Sequence, residues 1–208
     1  MDQASETRAR VAREAARLIY SGASEEYKHA KEWAANSLGV SSIPSNYEVA
    51  IELDLIAEEY EGEERERLLK DMREWALSIM KDLVEYHPVL TGSVWRGTAR
   101  KGSDLDINVY SSKPEDVESL LVKKGYNIVS SEEVRLIKGG RTMSSRHVSI
   151  QPAEGVIAEV VIRPVGEIGQ EERCEIYGDP KRGLKLPELE KLMRTDPLRK
   201  FVPRRRYR

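Results

Sequence analysis

The sequence predicts an α+β protein, in which a mixed β-sheet has helices packed on one side and follows an N-terminal helical region. Two observations favour this class. Between residues 7 and 85, apolar side chains recur at spacings of three and four, which is typical of amphipathic helices. From Val89 onward, short apolar runs follow in the order β, loop-helix, β, α, β, β, β. We therefore expect a helical region at 1–87, a sheet-containing core at 88–165 and a C-terminal extension at 166–208.

Four segments of the N-terminal region carry the helical pattern. Residues that end or cap helices separate them: Gly22, Gly39 and Gly62 follow the first three, and Ser45 or Asn46 can cap the third. The predicted helices are Thr7–Tyr20, Ser24–Leu38, Tyr47–Tyr60 and Glu63–Glu85.

The core is predicted from short runs rich in Val, Ile and Tyr that Gly and Pro separate. Pro114 and the acidic residues after it predict a helix that Gly125 ends. The predicted elements are strand Val89–Thr91, a strand around Asp104, helix Pro114–Lys124, strands Tyr126–Ser130, Val134–Lys138 and Arg146–Gln151, a turn at Gly139-Gly140 and a strand from Gly155 to Ile162. In the extension, Leu186–Arg194 predicts a short helix, and residues 166–178 show no clear period.

Composition predicts a soluble protein of the cytoplasm. The single cysteine, Cys174, excludes an internal disulfide framework and a Cys-rich zinc site. No apolar run approaches the ~20 residues that span a bilayer, and the start is too polar for a signal peptide, so we expect no membrane partner. Charged residues make up 34% of the chain whereas Asn and Gln are few, a balance found in proteins of thermophiles.

Charge is unevenly distributed along a chain whose total is -2. Residues 1–87 hold 11 Lys/Arg and 19 Asp/Glu, residues 88–180 hold 12 and 14, and residues 181–208 hold 11 and 3. The acidic helical region is typical of a solvated surface. The basic C-terminal stretch, residues 181–208, suits nucleic-acid phosphates, and it suits equally well a tail folded back onto the acidic helices.

One stretch, Leu90–Tyr110, holds the groups that carry chemistry. Gly92 and Ser93 offer backbone N–H groups and a hydroxyl to phosphate oxygens, since Gly has no Cβ to obstruct them. Asp104 and Asp106 alternate with apolar residues, so on a strand they share one face. Two adjacent carboxylates raise each other's pKa unless a cation lies between them. The pair therefore predicts a seat for a hard divalent metal such as Mg²⁺, which a triphosphate would bridge to the loop.

The segment GSVWRGTARKGSDLDI resembles the signature of the DNA polymerase β-type nucleotidyltransferase superfamily: Gly-Ser, ten residues, then Asp-hydrophobic-Asp. It is most similar to the minimal nucleotidyltransferases of archaea and bacteria, and CCA-adding enzymes and poly(A) polymerases carry related versions. The resemblance covers Leu90 to about Arg163, roughly a third of the chain. It implies a nucleotidyltransferase-type sheet, with residues 88–165 as the catalytic core.

The resemblance also implies a third carboxylate on a later strand, for which Glu159 is the candidate. Glu159 lies among Val, Ile and Ala, where burying an unpaired charge would cost several kcal/mol and a metal would remove that cost. The alternative is an ion pair between Glu159 and Arg163 or Arg146. Asp104, Asp106 and Glu159 are the expected catalytic and metal-binding triad.

The implied reaction transfers a nucleoside monophosphate from a nucleoside triphosphate to an acceptor hydroxyl and releases pyrophosphate. It would use two Mg²⁺ ions, with Mn²⁺ as a substitute: one on the triphosphate with both aspartates, and one on the acceptor hydroxyl with Glu159 as a further ligand. Gly92 and Ser93 are expected to hold the phosphates, with Arg96 or Lys101 neutralising the leaving group. Roles for Arg100, Arg141, Arg146 and His147 remain open, a structural histidine being favoured for His147.

The acceptor is expected to be RNA, contacted by the basic C-terminal stretch. Two alternatives remain. Minimal nucleotidyltransferases of this kind also resemble antitoxins that modify a partner toxin, which would make a protein side chain the acceptor. The other alternative is an RNA-binding module that keeps the fold without catalysis.

Overall fold

The structure is a computed structural model that describes residues 3–138 and 141–204, with the backbone alone at 136–138 and 141–143. The predicted turn at Gly139-Gly140 and the last four residues of the basic C-terminal stretch lie outside the described residues. The described helices are α1 (Gln3–Tyr20), α2 (Tyr27–Ser37), α3 (Asn46–Glu61), α4 (Glu63–Asp82), α5 (Gly92–Arg96), α6 (Pro114–Lys123) and α7 (Leu186–Thr195). The strands are β1 (Val89–Leu90), β2 (Leu105–Tyr110), β3 (Ile128–Lys138), β4 (Arg141–Ala153), β5 (Val156–Arg163) and β6 (Leu184–Lys185). None of the helices described is both long and apolar enough to cross a membrane.

Helices α1 to α3 share a core of their own. Ser45 begins α3 through a capping box, in which its hydroxyl accepts from the Glu48 N–H and the Glu48 carboxylate accepts from the Ser45 N–H at 2.7 Å. The predicted N-terminal helical region is confirmed, although α4 ends at Asp82, three residues earlier than expected. The buried residues of this core are Val11, Ala12, Ala15, Ala16, Ile19, Ala30, Ala34, Ala35, Val49 and Ile56.

The sheet is mixed, as predicted. Its six strands in the described chain lie in the order β3-β4-β5-β2-β1-β6. Strands β2 and β5 are parallel, and every other neighbouring pair is antiparallel. A parallel pair cannot be joined by a tight turn, and here α6, β3 and β4 intervene between its two strands.

One strand prediction is wrong. Residues 126–130 and 134–138 were expected to be two strands, whereas 128–138 form the single strand β3. The polar residues between the two expected strands, Ser131, Glu132 and Glu133, are accommodated because β3 is an edge strand of the sheet, pairs with β4 alone and exposes all three side chains.

The two faces of the sheet differ in burial. Along β2, Leu105, Ile107 and Val109 are fully buried, whereas the residues between them are half-buried. Strand β5 has the same period of two, because side chains alternate across a pleated strand. Helices cover the apolar face with residues from α4, α5, α6 and α7. This core includes Met72, Ala76, Ile79, Met80, Leu83, Val94, Val117, Leu121, Leu189 and Leu192.

The chain divides into two compact units. One comprises Met1–Arg65, Arg173–Pro180 and Pro203–Arg208, and the other comprises Glu66–Glu172 and Lys181–Val202. The division falls inside α4, earlier than the expected boundary at 87/88, because the apolar stripe of α4 belongs to the core of the sheet. The expected C-terminal extension is likewise shared between the units.

Candidate active site

Strands β2 and β5 bring two of the predicted carboxylates side by side. Their parallel register pairs Asp106 with Glu159. Because residues in register point to the same face, both carboxylates lie on the face opposite the apolar core. Asp104 is exposed and directly precedes β2, so it stands at the entry to the strand and not within it as expected.

The electrostatics link all three carboxylates. Burial, followed by the negative charges of Glu159 and Asp104, raises the pKa of Asp106 to about 6, against a smaller opposing effect of Lys181. Burial and the charge of Glu159 also raise the pKa of Asp104. The cluster therefore holds more negative charge than its surroundings stabilise, and a cation would favour its ionised form.

The α-carbon of Gly92 lies directly against the Asp106 carboxylate. A Cβ on Gly92 would lie 1.8 Å from Asp106 Oδ2, well inside van der Waals contact, and Gly92 has a φ of +67°, which L side chains rarely adopt. The preceding residue is fixed to the same strand, since Thr91 N–H donates to the Asp106 carbonyl at 2.8 Å. The Gly-Ser element therefore begins directly against the aspartate.

The remaining residues of the loop differ in exposure. Ser93 lies in the first turn of α5 and is half-buried, whereas Lys101 is exposed in the turn at 101–102. The backbone N–H of Arg100 donates to Ser103 Oγ, and its guanidinium donates to the Lys101 carbonyl at 3.3 Å. Lys101 is the more open of the two predicted phosphate cations.

Arg96 is placed differently from the expectation. It is only 4% exposed, its guanidinium lies 4.0 Å from the centroid of the Trp95 ring, and it donates to the Phe201 carbonyl at 2.8 Å. Arg73 reinforces this region from α4, because its buried guanidinium donates to the carbonyls of Val94, Trp95, Pro197 and Arg199. The burial of Arg96 argues against its predicted contact with phosphate, since the guanidinium already binds the backbone of the segment at 197–201.

Glu159 pairs with neither arginine considered as its alternative partner. Arg163 forms ion pairs with Glu167 and Glu172. Arg146 pairs with Glu118 at 3.1 Å, on the opposite face of the sheet from Glu159. Glu159 instead contacts His147, with Oε1 at 2.9 Å from Nδ1.

His147 also contacts Ser145, whose Oγ lies 3.1 Å from Nε2. The side chains of His147 and Glu159 are 29% and 36% exposed, so this Ser145–His147–Glu159 chain lies at the surface of the open face. No local sequence signal indicates this chain of contacts beyond the expected pairing of the two strands, because the contacts depend on the register of β4 and β5.

The chain matches one protein family over part of its length. Residues 73–154 match the family model described as a nucleotidyltransferase domain. This segment is similar to nucleotidyltransferase domains. The match confirms the resemblance to the polymerase β-type superfamily; it includes Gly92, Asp104 and Asp106 and ends five residues before Glu159.

Solved structures of a poly(U) polymerase and an RNA terminal U-transferase show weak similarity to the chain. Cid1 poly(U) polymerase has 15% identity and a TM-score of 0.30 over 49% of this chain and 31% of its own. Its complex with the UTP analogue UMPNPP has 15% and 0.29 over 51% and 30%, and a cytoplasmic RNA terminal U-transferase has 16% and 0.28 over 56% and 34%. This chain thus spans about a third of the length of those structures. No curated protein sequence matches it.

The carboxylates of this segment suit a metal ion that binds together with a nucleotide. Within the residues described, no group of three or more His, Cys, Asp or Glu side chains is arranged so that it could hold a metal ion. Mg²⁺, however, usually binds through one or two carboxylates together with substrate phosphates. Asp104 and Asp106 supply such oxygens, and the raised pKa of Asp106 marks uncompensated negative charge. They fit a nucleotide-bound Mg²⁺, and the place of Glu159 as a further ligand stays a prediction.

Lys181 is a residue of the site that sequence reasoning missed. Its positive charge acts on Asp106 and lowers the pKa of that carboxyl. The Lys181 N–H donates to the Glu172 carbonyl at 2.7 Å, and Glu172 pairs with Arg163 at the end of β5. In the sequence Lys181 is the first of many basic residues near the C-terminus, and nothing local distinguishes it from the others.

Proposed function

We propose that this protein transfers a nucleoside monophosphate from a nucleoside triphosphate to an acceptor hydroxyl and releases pyrophosphate. The observation that carries the proposal is the fit of Gly92 against Asp106, beside Glu159 in register on the parallel strand. Gly92 does more than allow a turn of the backbone, because its α-carbon lies directly against a carboxylate. Here the tight approach leaves backbone N–H groups and carboxylate oxygens together, as a metal-bound triphosphate requires.

Each carboxylate has a role in this proposal. Asp104 and Asp106 would hold the metal that accompanies the triphosphate, and Glu159 would be a further ligand, with both aspartates, for a second metal. Mg²⁺, or Mn²⁺ in its place, supplies charge neutralisation on the phosphates and lowers the pKa of the acceptor hydroxyl. The sheet fixes the spacing of the two carboxylates, because Asp106 and Glu159 are paired in register on neighbouring parallel strands.

The phosphates of the nucleotide lie in this proposal between α5 and two lysines. Gly92 and Ser93 approach the β- and γ-phosphates through backbone N–H groups and a hydroxyl. Lys101 and Lys181, both exposed, balance charge on the pyrophosphate that leaves. Arg96 is not part of this arrangement because its guanidinium is buried against Phe201.

RNA is the acceptor that we propose. Residues 181–208 carry 11 Lys/Arg and 3 Asp/Glu, and a net charge of +8 favours a polyanionic acceptor over a protein side chain. Several of the basic side chains in the described part of this stretch, including Arg182, Arg199 and Lys200, are exposed.

The proposal is tested by incubating the purified protein with Mg²⁺, each of the four nucleoside triphosphates labelled at the α-phosphate, and either total RNA or total protein. Label is expected in RNA and not in protein, and Asp106→Ala should remove it. Label in protein alone would replace RNA with a protein acceptor. No label in either fraction, with Asp106→Ala indistinguishable from the wild type in nucleotide binding, would overturn the proposed reaction.

A further inference from the structure

We propose that His147 and Ser145 are positioning residues for Glu159: together they hold its carboxylate by a chain of hydrogen bonds, so that one oxygen is fixed and the other serves the site. This inference rests on the proposed function and adds residues to it that the family match and the sequence motif leave without a role.

The register of the strands places all three side chains on one face. Glu159 is opposite Ser149 on β4, and His147 is opposite Val161 on β5. Residues two apart on a strand share a face, so Ser145 and His147 point to the same side as Glu159. His147 and Glu159 are therefore diagonal neighbours, a separation that a long side chain and a ring can bridge.

The hydrogen-bonding capacity of the groups gives the chain a direction. An ionised carboxylate only accepts, so the 2.9 Å contact requires the proton on Nδ1, which donates to Glu159 Oε1. In the neutral ring Nε2 then carries a lone pair, and the Ser145 hydroxyl donates to it at 3.1 Å. The Glu159 carboxylate thus sets the tautomer of His147, the Ser145 hydroxyl completes the hydrogen bonds of the ring, and the ring in turn holds the carboxylate.

Electrostatic repulsion among the three carboxylates explains why the orientation of Glu159 requires a hydrogen-bond donor. Its negative charge and those of Asp104 and Asp106 disfavour one another. A glutamate side chain has three rotatable bonds, and in water it would turn away from two aspartates. The donor on His147 opposes this, because it binds Oε1 and leaves Oε2 available as a ligand. Partners of this kind orient metal-binding carboxylates, and their loss typically costs about 10–100-fold in metal affinity or activity.

The variants that test the inference are His147→Ala, His147→Asn, Ser145→Ala and the control Ser144→Ala. Asparagine keeps an N–H donor at the same number of bonds from Cα as Nδ1, so it can still hold Oε1. Ser144 is adjacent to Ser145, but its hydroxyl donates to Glu133 at 2.9 Å and does not contact the imidazole. It controls for removal of a serine hydroxyl from this part of β4.

Two readouts separate positioning from a general structural role. The first is Mn²⁺ binding by electron paramagnetic resonance in the presence of a non-hydrolysable nucleoside triphosphate, which requires no turnover. The second is the division of any kinetic defect between kcat and the KM for nucleotide. For His147→Ala we expect Mn²⁺ affinity and kcat to fall by about 10–100-fold, with a much smaller change in KM, because the triphosphate depends first on Asp104 and Asp106. His147→Asn should recover most of both, Ser145→Ala should lose several-fold, and Ser144→Ala should match the wild type.

The inference is overturned if His147→Ala keeps wild-type Mn²⁺ affinity and kcat, or if His147→Asn is as defective as His147→Ala at equal thermal stability. Its failure can be told apart from failure of the proposed function. If Asp106→Ala abolishes transfer while His147→Ala has no effect, only the positioning role is wrong. If Asp106→Ala leaves both transfer and Mn²⁺ binding unchanged, the proposed function itself is wrong.

Discussion

The α-carbon of Gly92 packs directly on the side chain of Asp106: a Cβ at this position would lie 1.8 Å from Oδ2 and 2.8 Å from Cγ. We expect Gly92→Ala to reduce nucleotide transfer by at least about 10-fold, because either α5 or the carboxylate must move by more than 1 Å, a displacement that can cost about 10²-fold at a reacting centre. Steady-state kinetics with the labelled triphosphate measures the loss.

Gly22→Ala is the control for that substitution. Gly22 has a φ of +74° and no atom within 4 Å of its ideal Cβ position, so alanine there meets the same backbone strain of about 1–2 kcal/mol without the overlap. Both variants should lose thermal stability from strain, Gly92→Ala more so because of its overlap with Asp106, and only Gly92→Ala should lose activity. If both retain activity, the close approach is not required for catalysis.

Removal of either aspartate is expected to abolish nucleotide transfer while the fold is retained. Asp104→Ala and Asp106→Ala each remove an oxygen ligand together with local repulsion, so circular dichroism should be unchanged. The loss of kcat should be on the order of 10³-fold or more, since metal-based charge stabilisation contributes several kcal/mol. Glu159→Gln should be nearly as severe in transfer but should still bind nucleotide, as calorimetry with Mg²⁺ would measure. Retained activity in either aspartate variant would contradict the assignment.

Part of this arrangement follows from sequence alone. Leu105, Ile107 and Val109 alternate with polar residues such as Asp106, and this pattern predicts both the strand and its two faces. It does so because side chains of a strand point to opposite faces with the same period of two. The interpretation of Glu159, which lies among Val, Ile and Ala, as a metal ligand uses the same local pattern and stays a prediction. The strand and its two faces are predicted correctly because they depend on neighbours within a few residues.

The rest depends on contacts between distant parts of the chain. Arg96 follows a Gly-Ser element and resembles a phosphate ligand in sequence, but Phe201, 105 residues later, supplies the carbonyl that binds it. The contact between Glu159 and His147 depends on the register of β4 against β5. A shift of one residue in this register would move the side chains of one strand to the other face of the sheet. The polar centre of strand β3 is tolerated only at a sheet edge, and edge position is a property of the whole sheet, so local sequence does not predict that 128–138 form one strand.

Asp106 should make stability depend on pH in metal-free solution. Its pKa is about 6 in the folded protein and 3.8 without the fold, so between those values the folded state holds a proton that the unfolded state has lost. Its contribution is therefore most favourable below about pH 4 and declines as pH rises through 6. Asp106→Asn removes this decline, and at pH 7 it should be more stable than the wild type by about 1–3 kcal/mol, a difference that vanishes near pH 4.

Urea unfolding of both proteins from pH 4 to pH 8 with a chelator present measures the difference. Asp104→Asn is the comparison, because Asp104 is exposed and its raised pKa should yield a smaller effect. Parallel stability curves for the wild type and Asp106→Asn would show that the carboxyl titrates in the normal range. Adding Mg²⁺ and a non-hydrolysable triphosphate should reverse the order of stability at pH 7, because only the wild type can bind them fully.

The basic end of the chain is expected to bind RNA through Arg204, Arg205, Arg206 and Arg208. Replacing all four with glutamine is preferable to truncation, because the Pro203 carbonyl accepts a hydrogen bond from the Tyr47 hydroxyl at 3.2 Å and the chain should remain in place. Each phosphate contact contributes about 0.7–0.9 to the slope of log K against log salt, so loss of four contacts should weaken RNA binding and make the slope shallower by roughly 3–4. Titrations of labelled RNA at several salt concentrations measure both quantities.

A control variant with the same change in charge replaces four basic residues of other segments, Arg8, Arg10, Lys28 and Lys123, with glutamine. All four are exposed, and the control should alter the salt slope far less if contact is confined to the C-terminal residues. Nucleotide binding should be unchanged in both proteins because Gly92 and Asp106 are untouched. An unchanged salt slope in the arginine variant would remove the main support for an RNA acceptor. If the same variant instead loses thermal stability with no change in RNA affinity, the arginines neutralise acidic helices, and a protein acceptor becomes the better proposal.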